Sequence, residues 1–289
     1  MTAILHPGMG VESQAHAATD AHAIASRIRG KLVELSHQKG VPHLGSALSC
    51  VDIITAAYWS DALRLDPARP DDPDRDRFIL SKGHAAPALY VALALRGFFP
   101  EELLATLNEP GGVLPEQPSP GSIPGLEAAT GSLGHGLPVG LGMALAARLQ
   151  RRDYRVFVTM SDGECNEGSV WEAAMMAAAR KADNLIAFVD FNRWQATGRS
   201  TEVLALEPLG AKFEAFGWSV YDIDGHDPEA LWKRFHDFPD GSGKPVAVVC
   251  HTVKGRGISF MEDDNNWHYR IPTADEVAAA HEELGLRGS

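Results

Sequence analysis

The stretch between Thr159 and Gly198 constrains the fold of this chain more than any other part of the sequence. It is predicted to form the end of a buried strand, an acidic turn, a helix and a second buried strand that ends at Asp190-Phe191-Asn192. Such a strand–helix–strand unit sets the carboxyl ends of two parallel strands side by side. Because ligands of open α/β sheets bind at that edge, we expect Asp162 and Asn192 to lie together at a ligand site.

Apolar strands alternate with helical segments along most of the chain. Several of the strand segments are nearly continuous apolar or β-branched runs (residues 184–190, 219–223 and 245–252), as is typical of parallel strands covered on both faces. The pattern predicts an α/β fold with a doubly wound, mainly parallel sheet flanked by helices. The remaining predicted strands are residues 78–80 and 155–160, and the main predicted helices are residues 20–39, 51–63 and 131–151.

The domain organisation is predicted to be simple. Residues 1–18 are rich in Ala, His and Gly without clear periodicity, which indicates a flexible N-terminal tail. Residues 19–289 contain no repeat or linker and are predicted to form a single domain. Within it, the Pro- and Gly-rich residues 108–125 are predicted to form one long loop.

Charge and cysteine content exclude several classes of function. The formal net charge of −12 gives no electrostatic support to a nucleic-acid partner. No apolar run approaches the roughly 20 residues of a membrane-spanning helix, so we expect no membrane span. Three separated cysteines without a CxxC pair, and no secretory-signal pattern, favour a cytoplasmic location.

The acidic turn itself indicates a metal-bridged phosphate. A turn that leads into a helix offers free backbone N–H groups to a phosphate, but the carboxylate of Asp162 would repel one unless a cation lay between them. Asp162 and Asn192 both supply the hard oxygen ligands that Mg²⁺ prefers. On the turn alone, the alternative that Asp162 merely caps the helix beginning near Glu167 stays open.

A specific family resemblance follows from the spacing of these residues. A Gly-Asp-Gly turn followed some thirty residues later by Asn marks thiamine diphosphate enzymes, and here Asn192 lies thirty positions beyond Asp162 in Ser161-Asp162-Gly163. The segment EGSVWEA at residues 167–173 and the pattern NL…D.N..Q.TG after it resemble transketolase. The similarity covers roughly residues 20–275 and stops where a full-length transketolase would continue into its pyrimidine-binding domain. The chain therefore resembles the N-terminal, diphosphate-binding subunit of a split transketolase.

The resemblance implies roles for individual residues. The metal, Mg²⁺ or alternatively Ca²⁺ or Mn²⁺, would be held by Asp162, Asn192 and the backbone carbonyl of Trp194. Thiamine diphosphate would contact His84, Gly131, Ser132, Leu133, Asp162, Gly163, Glu164 and Asn192. The implied catalytic residues are His43, His84, His268 and Glu167, and the implied substrate-binding residues are His43, Gln117 and His268.

Two departures from the family pattern bear on the substrate. The usual Gly-His-Pro is replaced by Glu116-Gln117-Pro118, and Gln117 can hydrogen-bond but cannot take a proton near neutral pH. Tyr269 stands after His268, where many relatives have Gly, and could narrow the channel. Both changes are compatible with donors or acceptors other than the usual pentose phosphates.

The implied function is ketol transfer by a two-chain enzyme. The glutamate that activates the cofactor in this family belongs to the pyrimidine-binding domain, so we expect a separate partner subunit, with the two chains forming an α2β2 heterotetramer that acts on small sugar-like substrates. One alternative is a specialised thiamine diphosphate-dependent carboligase or acyloin-forming enzyme of secondary metabolism. Another is a non-catalytic binding protein, although the presence of both Asp162 and Asn192 argues against it.

Overall fold

Five parallel strands form one sheet at the centre of residues 11–286, which the computed structural model describes, with side chains described from Ala21 onward. The strand order is β1-β2-β3-β5-β4, and every neighbouring pair is parallel. This confirms the predicted α/β class. The strands are β1 (Arg77–Leu80), β2 (Val156–Ser161), β3 (Leu185–Phe191), β4 (Ser219–Asp224) and β5 (Val246–His251).

Helices precede, connect and follow these strands. In the described region the α-helices are α1 (Val11–Lys39), α2 (Leu44–Ser49), α3 (Val51–Trp59), α4 (Ala86–Leu95), α5 (Gly136–Leu149), α6 (Gly168–Ala179), α7 (Ser200–Val203), α8 (Leu209–Ala215), α9 (Pro228–His236) and α10 (Ala274–Glu283). Short 3-10 helical turns lie at Gly83–Ala85, Glu101–Thr106, Gly163–Asn166 and Asn265–His268. No helix within residues 11–286 is both long and apolar enough to cross a membrane.

The two faces of the sheet carry separate hydrophobic cores. Phe157, Ile186 and Phe188 point into a core shared with α1, α3, α4 and α9. Their chain neighbours, such as Val158 and Ala187, point into a second core shared with α5, α6 and α8. This alternation follows from the two-residue period of a strand and confirms the doubly wound, two-sided sheet.

Strand β4 departs from the prediction that it is covered on both faces. Four of its six residues are half-buried and two are exposed, whereas β2 and β3 are buried throughout. Among the described strands β4 pairs with β5 alone and forms one edge of the sheet, and unlike β1 at the other edge it is not enclosed by its surroundings. The polar residues Asp222 and Asp224 in its sequence fit that partly solvated position.

Several helix boundaries also differ from the predictions. Helix α1 begins at Val11 rather than at residue 20, because residues 11–19 include several Ala residues, which favour helix. Residues 11–18 of the predicted tail therefore lie in α1, and residues 1–10 lie outside the described region. Helix α3 ends at Trp59 rather than at residue 63, and α2 (Leu44–Ser49) lies between the predicted helices 20–39 and 51–63, where no helix was predicted.

The segment predicted as the start of a helix at residues 131–135 is not helical. Gly131 and Gly134 have φ angles of 121° and 84°, which lie outside the α-helical region, and α5 begins only at Gly136. Residues 108–125, by contrast, contain no α-helix or strand, as predicted.

Candidate functional site

The carboxyl ends of β2 and β3 bring the two predicted metal ligands to one edge of the sheet. Ser161 at the end of β2 pairs in register with Asp190 of β3, so Asp162 and Asn192 follow neighbouring strands. Both side chains are buried. The βαβ connection through α6 is what sets them side by side, as the sequence predicted.

Asp162 is a fully buried carboxylate held by three donors. Its Oδ1 accepts from the N–H of Gly163 at 2.8 Å, and its Oδ2 accepts from the N–H of Arg193 at 2.9 Å and the hydroxyl of Ser200 at 2.7 Å. Burial, followed by repulsion from Asp190, raises the pKa of Asp162 to about 6 in spite of these hydrogen bonds. A nearby cation would offset the free-energy cost of burying the charged carboxylate and would lower this pKa.

Asn192 has its amide orientation fixed by its neighbours. Its Nδ2 donates to Ser49 Oγ at 3.1 Å and to Asp190 Oδ2 at 3.3 Å. The carbonyl oxygen Oδ1 therefore faces the other way, where it accepts the N–H of Trp194 at 3.0 Å. An oxygen with a free lone pair is thus held next to the Asp162 turn.

A buried ion pair supports Asn192 from beneath and was not identified from the sequence. Lys82 and Asp190 are both fully buried and in direct contact, and Asp190 also accepts from Ser49 at 2.6 Å and from Thr252. Burial lowers the pKa of Lys82, but attraction to Asp190 outweighs it and the net shift is upward. The sequence did contain one sign of this ion pair, since Asp190 is a charged residue within the otherwise apolar strand β3.

The residues around Asp162 and Asn192 fit a metal–diphosphate group. A Cβ on Gly163 would lie 2.9 Å from Gln195 Cγ, so the Gln195 side chain packs against the backbone of this turn and leaves little room for a side chain at Gly163. Gln195 Nε2 is buried and has no hydrogen-bond partner in the part of the chain that the structure describes. The carbonyl oxygen of Trp194 accepts no hydrogen bond within the described residues. No cluster of three His, Cys, Asp or Glu residues suited to a metal is found there, so metal binding would depend on amide and carbonyl oxygens as well.

Glu164, predicted to contact the cofactor, makes its hydrogen bonds within the protein. Its buried carboxylate accepts from the hydroxyl of Ser81, from the N–H of Gly134 at 2.8 Å and from the N–H of Ser161 at 3.3 Å. Burial raises its pKa. Glu164 thereby fastens the segment that precedes α5 to the turn after β2.

The glycine segment before α5 packs directly on the turn that carries His84. A Cβ on Gly83 would lie 2.5 Å from the backbone nitrogen of Gly131, so the two backbones are in contact. The side chain of Gln117 lies over Gly131. Ser132 and Gln117 are exposed and Leu133 is half-buried, so all three predicted residues lie at the surface of this edge.

The three predicted channel histidines form a cluster. Ring centroids of His43 and His268 are 4.9 Å apart, those of His43 and His84 are 5.4 Å apart, and those of His84 and His268 are 6.1 Å apart. The backbone N–H of His43 donates to the carbonyl of His268 at 2.7 Å, which joins the loop before α2 to the turn before α10. Tyr269 lies at the open side of the cluster, 64% exposed, with its ring centroid 4.6 Å from that of His268.

Burial keeps these imidazoles neutral at physiological pH. It lowers the pKa of His43 and of His84, the latter well below its usual value. Burial and the charge of Lys254 lower the pKa of His268 to about 3. Lys254 is itself fully buried, and burial with the charge of Lys82 lowers its pKa to about 8. Neutral imidazoles can each donate one hydrogen bond and accept another, as binding of hydroxyl groups requires.

Glu167 stands apart from this cluster. It is exposed at the N-terminus of α6, and its side chain makes no capping hydrogen bond. The alternative that Asp162 caps the helix near Glu167 holds only for the short 3-10 turn that begins at Gly163, whose N–H binds Asp162.

Comparison with protein families identifies the class of this domain. The family described as "Transketolase, thiamine diphosphate binding domain" matches residues 20–289. The match spans nearly the whole chain and agrees with the sheet and its carboxyl-edge site. The chain belongs to the transketolase family.

Two proteins named as transketolase subunits match this chain over nearly their full length. The chain is 42% identical over 259 residues to an apulose-4-phosphate transketolase subunit of Phocaeicola vulgatus, covering 90% of this chain and 92% of that protein. It is 42% identical over 265 residues to 6-deoxy-6-sulfo-D-fructose transketolase subunit SqwG of a Clostridium species, covering 92% and 96%. These matches confirm the predicted resemblance to a diphosphate-binding subunit of a split transketolase.

Solved transketolases share the fold but are longer. A transketolase variant from Pichia stipitis superposes with a TM-score of 0.87 at 28% identity, covering 92% of this chain and 41% of that one. Transketolase from Campylobacter jejuni gives 0.85 at 28% identity, covering 92% and 43%. This chain therefore spans less than half the length of these solved chains.

Proposed function

We propose that this chain is the diphosphate-binding subunit of a thiamine diphosphate- and Mg²⁺-dependent transketolase that moves a two-carbon ketol unit from a ketose to an aldehyde. The observation that carries the proposal is the pairing of buried Asp162 and Asn192 at one edge of the sheet, beside three neutral histidines. A cytoplasmic location and a role in carbohydrate metabolism are part of the proposal.

Asp162, Asn192 and the carbonyl of Trp194 would hold the metal. Asp162 provides the charge, and the fixed amide of Asn192 provides a neutral oxygen. Gly163 and the N–H groups of its turn would approach the diphosphate. The Gly131-Ser132-Leu133 segment would lie against the ring portion of the cofactor, with Glu164 holding that segment in place.

The histidine cluster would bind and orient the substrate. When bound, thiamine diphosphate supplies the nucleophilic carbon that accepts the ketol unit. His43, His84 and His268 would donate and accept hydrogen bonds with substrate hydroxyls and move protons at them. Gln117 lies against Gly131 at this edge and would add an amide hydrogen bond in place of a proton-transferring group.

A second polypeptide would complete the site. The proposed partner carries the pyrimidine-binding domain and the glutamate that activates the cofactor, and the pair would assemble as α2β2. Glu167 is exposed at the start of α6 and is available for contact with such a partner. The isolated chain is expected to show no ketol transfer.

A specialised carboligase is the second candidate. Tyr269 supports it, because its exposed ring lies 5.9 Å from that of His43 and limits the space beside the cluster. This candidate keeps the same cofactor site and changes only the substrates.

The metal site is tested with Asp162→Ala in the complex assembled from this chain and the partner recovered with it by affinity pull-down. Thiamine diphosphate binding in the presence of Mg²⁺, measured by calorimetry, is expected to weaken by about a hundredfold or more. Adding a chelator to the unaltered complex should have a similar effect. Asp237→Ala is the control, since Asp237 is exposed and distant along the chain. Equal affinity of the Asp162→Ala and unaltered complexes would refute the assignment.

A further inference from the structure

His43 and His268 each have one ring nitrogen placed next to a group of fixed hydrogen-bonding character. The two rings meet edge to face, with an interplanar angle of 89°. In a neutral imidazole one nitrogen carries the proton and the other accepts, so the neighbour of one nitrogen determines what the other can do. The groups next to the two Nδ1 atoms are opposite in character.

Next to His268 is an ammonium group. Lys254 Nζ lies 3.1 Å from His268 Nδ1 and also donates to Asn265 Oδ1 at 2.6 Å. An ammonium can only donate, so Nδ1 of His268 must accept. The ring proton of His268 is then on Nε2.

Next to His43 is a carboxylate. Nδ1 of His43 is buried and has no hydrogen-bond partner among the described residues, and Glu116 Oε1 lies 3.8 Å from it. A carboxylate can only accept, so it attracts a protonated Nδ1 and repels a bare lone pair. The side chain of Glu116 is 42% exposed, so it has room to approach Nδ1 to hydrogen-bond distance. The ring proton of His43 is then on Nδ1, and Nε2 is an acceptor.

We propose that Glu116 and Lys254 hold His43 and His268 in opposite neutral tautomers, so that an acceptor Nε2 and a donor Nε2–H together bind one substrate hydroxyl. A hydroxyl both donates and accepts, whereas a carbonyl or ether oxygen would satisfy His268 alone. Among the described residues no hydrogen bond reaches Nε2 of either ring, and neither Nε2 is one of the buried nitrogens that lack a partner, so both are accessible to a ligand. The inference deepens the proposed function, on which the identification of the ligand as a hydroxylated substrate rests.

The other groups that face His43 leave this assignment intact. His84 lies 5.4 Å from it by ring centroid and is neutral, because burial and the charge of Lys82 lower its pKa. Tyr269 contacts the ring edge to face. Glu116 and Lys254 are the charged groups that act on the pKa of His43, and they act in opposite directions, after the larger effect of burial.

Nuclear magnetic resonance of the full chain labelled with ¹⁵N-histidine tests the tautomers directly. Signals are assigned with His43→Gln and His268→Gln. We expect the unaltered chain to show the proton of His43 on Nδ1 and that of His268 on Nε2. In Glu116→Ala, His43 should shift toward the form protonated at Nε2, while Glu101→Ala, which removes an exposed carboxylate paired with Arg27, should change nothing.

A kinetic measurement on the assembled complex provides a readout that a purely structural role would not change. Ketol transfer from the uncharged ketose L-erythrulose to D-glyceraldehyde, which releases glycolaldehyde and forms a five-carbon ketose, is followed against pH. Because Glu116 raises the pKa of His43, Glu116→Ala should shift the acid limb of kcat/KM to lower pH. It should also lower kcat/KM at neutral pH roughly tenfold, the value of about one hydrogen bond.

Two results would overturn the inference: His43 protonated at Nε2 in the unaltered chain, or the same ring signals with and without Glu116. If the complex transfers no ketol unit but the tautomers are as expected, the proposed function fails and the tautomer assignment stands.

Discussion

At the scale of single residues, the site depends on charges buried beneath it. Lys82 and Asp190 are both fully buried, and Lys82 also donates to the carbonyl of Ser46 at 2.8 Å. Asp190 in turn binds Asn192, so this ion pair fixes which face of the Asn192 amide is turned toward Asp162. The hydrogen bonds that surround both charges compensate for the loss of water.

Asp190→Asn should therefore be strongly destabilising. It leaves the ammonium of Lys82 buried without its counter-charge, and we expect the free energy of unfolding to fall by about 3–5 kcal/mol. Urea denaturation measures the change. Asp237→Asn is the matched control, because its ion pairs are on the surface and worth at most about 1 kcal/mol. Equal effects of the two variants would show that the buried pair is not stabilised as described.

At the scale of elements, the site depends on close contact between two turns. At Gly83 the turn Gly83–Ala85, which carries His84, packs its backbone against the backbone of the segment that leads into α5. Glu164 ties that same segment to the turn after β2. Three elements distant in the sequence are thereby held at fixed spacing along the carboxyl edge.

Gly83→Ala should separate these turns. The added Cβ would lie 2.5 Å from the nitrogen of Gly131 and 2.6 Å from the carbonyl carbon of Thr130, and neither backbone atom can move freely. We expect a loss of about 1–3 kcal/mol in stability, measured by thermal unfolding, and weaker cofactor binding by the assembled complex.

Gly142→Ala is the comparison for Gly83→Ala. A Cβ at Gly142, in α5, has no heavy atom within 4 Å, so this change should stabilise the helix by up to about 1 kcal/mol. If Gly142→Ala lowered the stability as much as is expected for Gly83→Ala, the loss at Gly83 could not be attributed to the backbone contact.

At the scale of the whole molecule, one buried charge network links distant parts of the chain. Asp52 of α3 binds Arg29 of α1 at 2.6 Å and Nδ1 of His226, after β4, at 2.6 Å. Arg29 also donates to the carbonyl of Arg256 at 2.9 Å. Burial by itself would raise the pKa of Asp52, but Arg29 and His226 outweigh that effect and lower it to about 2.

The network should make stability depend on pH in acid. The folded-state pKa of Asp52 lies below its unfolded value, so its contribution is present above about pH 4 and is lost as the pH falls toward 2. The contribution is roughly 2 kcal/mol. In urea denaturation at stepped pH, the difference in stability between the unaltered chain and Asp52→Asn should narrow below pH 4. Asp222→Asn, at an exposed pair with His251, should show no such narrowing.

The sequence by itself determined the class of fold and which two oxygen-bearing side chains lie at the carboxyl edge of the sheet. Apolar runs of strand length alternating with helices require a parallel sheet, because only then are both faces buried. Asp162 and Asn192 could be identified because each directly follows such a run. The departure at β4 shows the limit, since the local pattern does not reveal which strand lies at an edge.

Only the tertiary structure decided which other residues join the site. Lys82 and Asp190 are far apart in sequence, and their contact depends on the order of strands in the sheet. The same holds for Glu116 beside His43 and Lys254 beside His268, which lie on separate loops. Local sequence sets what each segment becomes, through periodicity and backbone preference. Packing between segments then decides which side chains form hydrogen bonds and ion pairs with each other. This packing is fixed only when the whole sheet has formed.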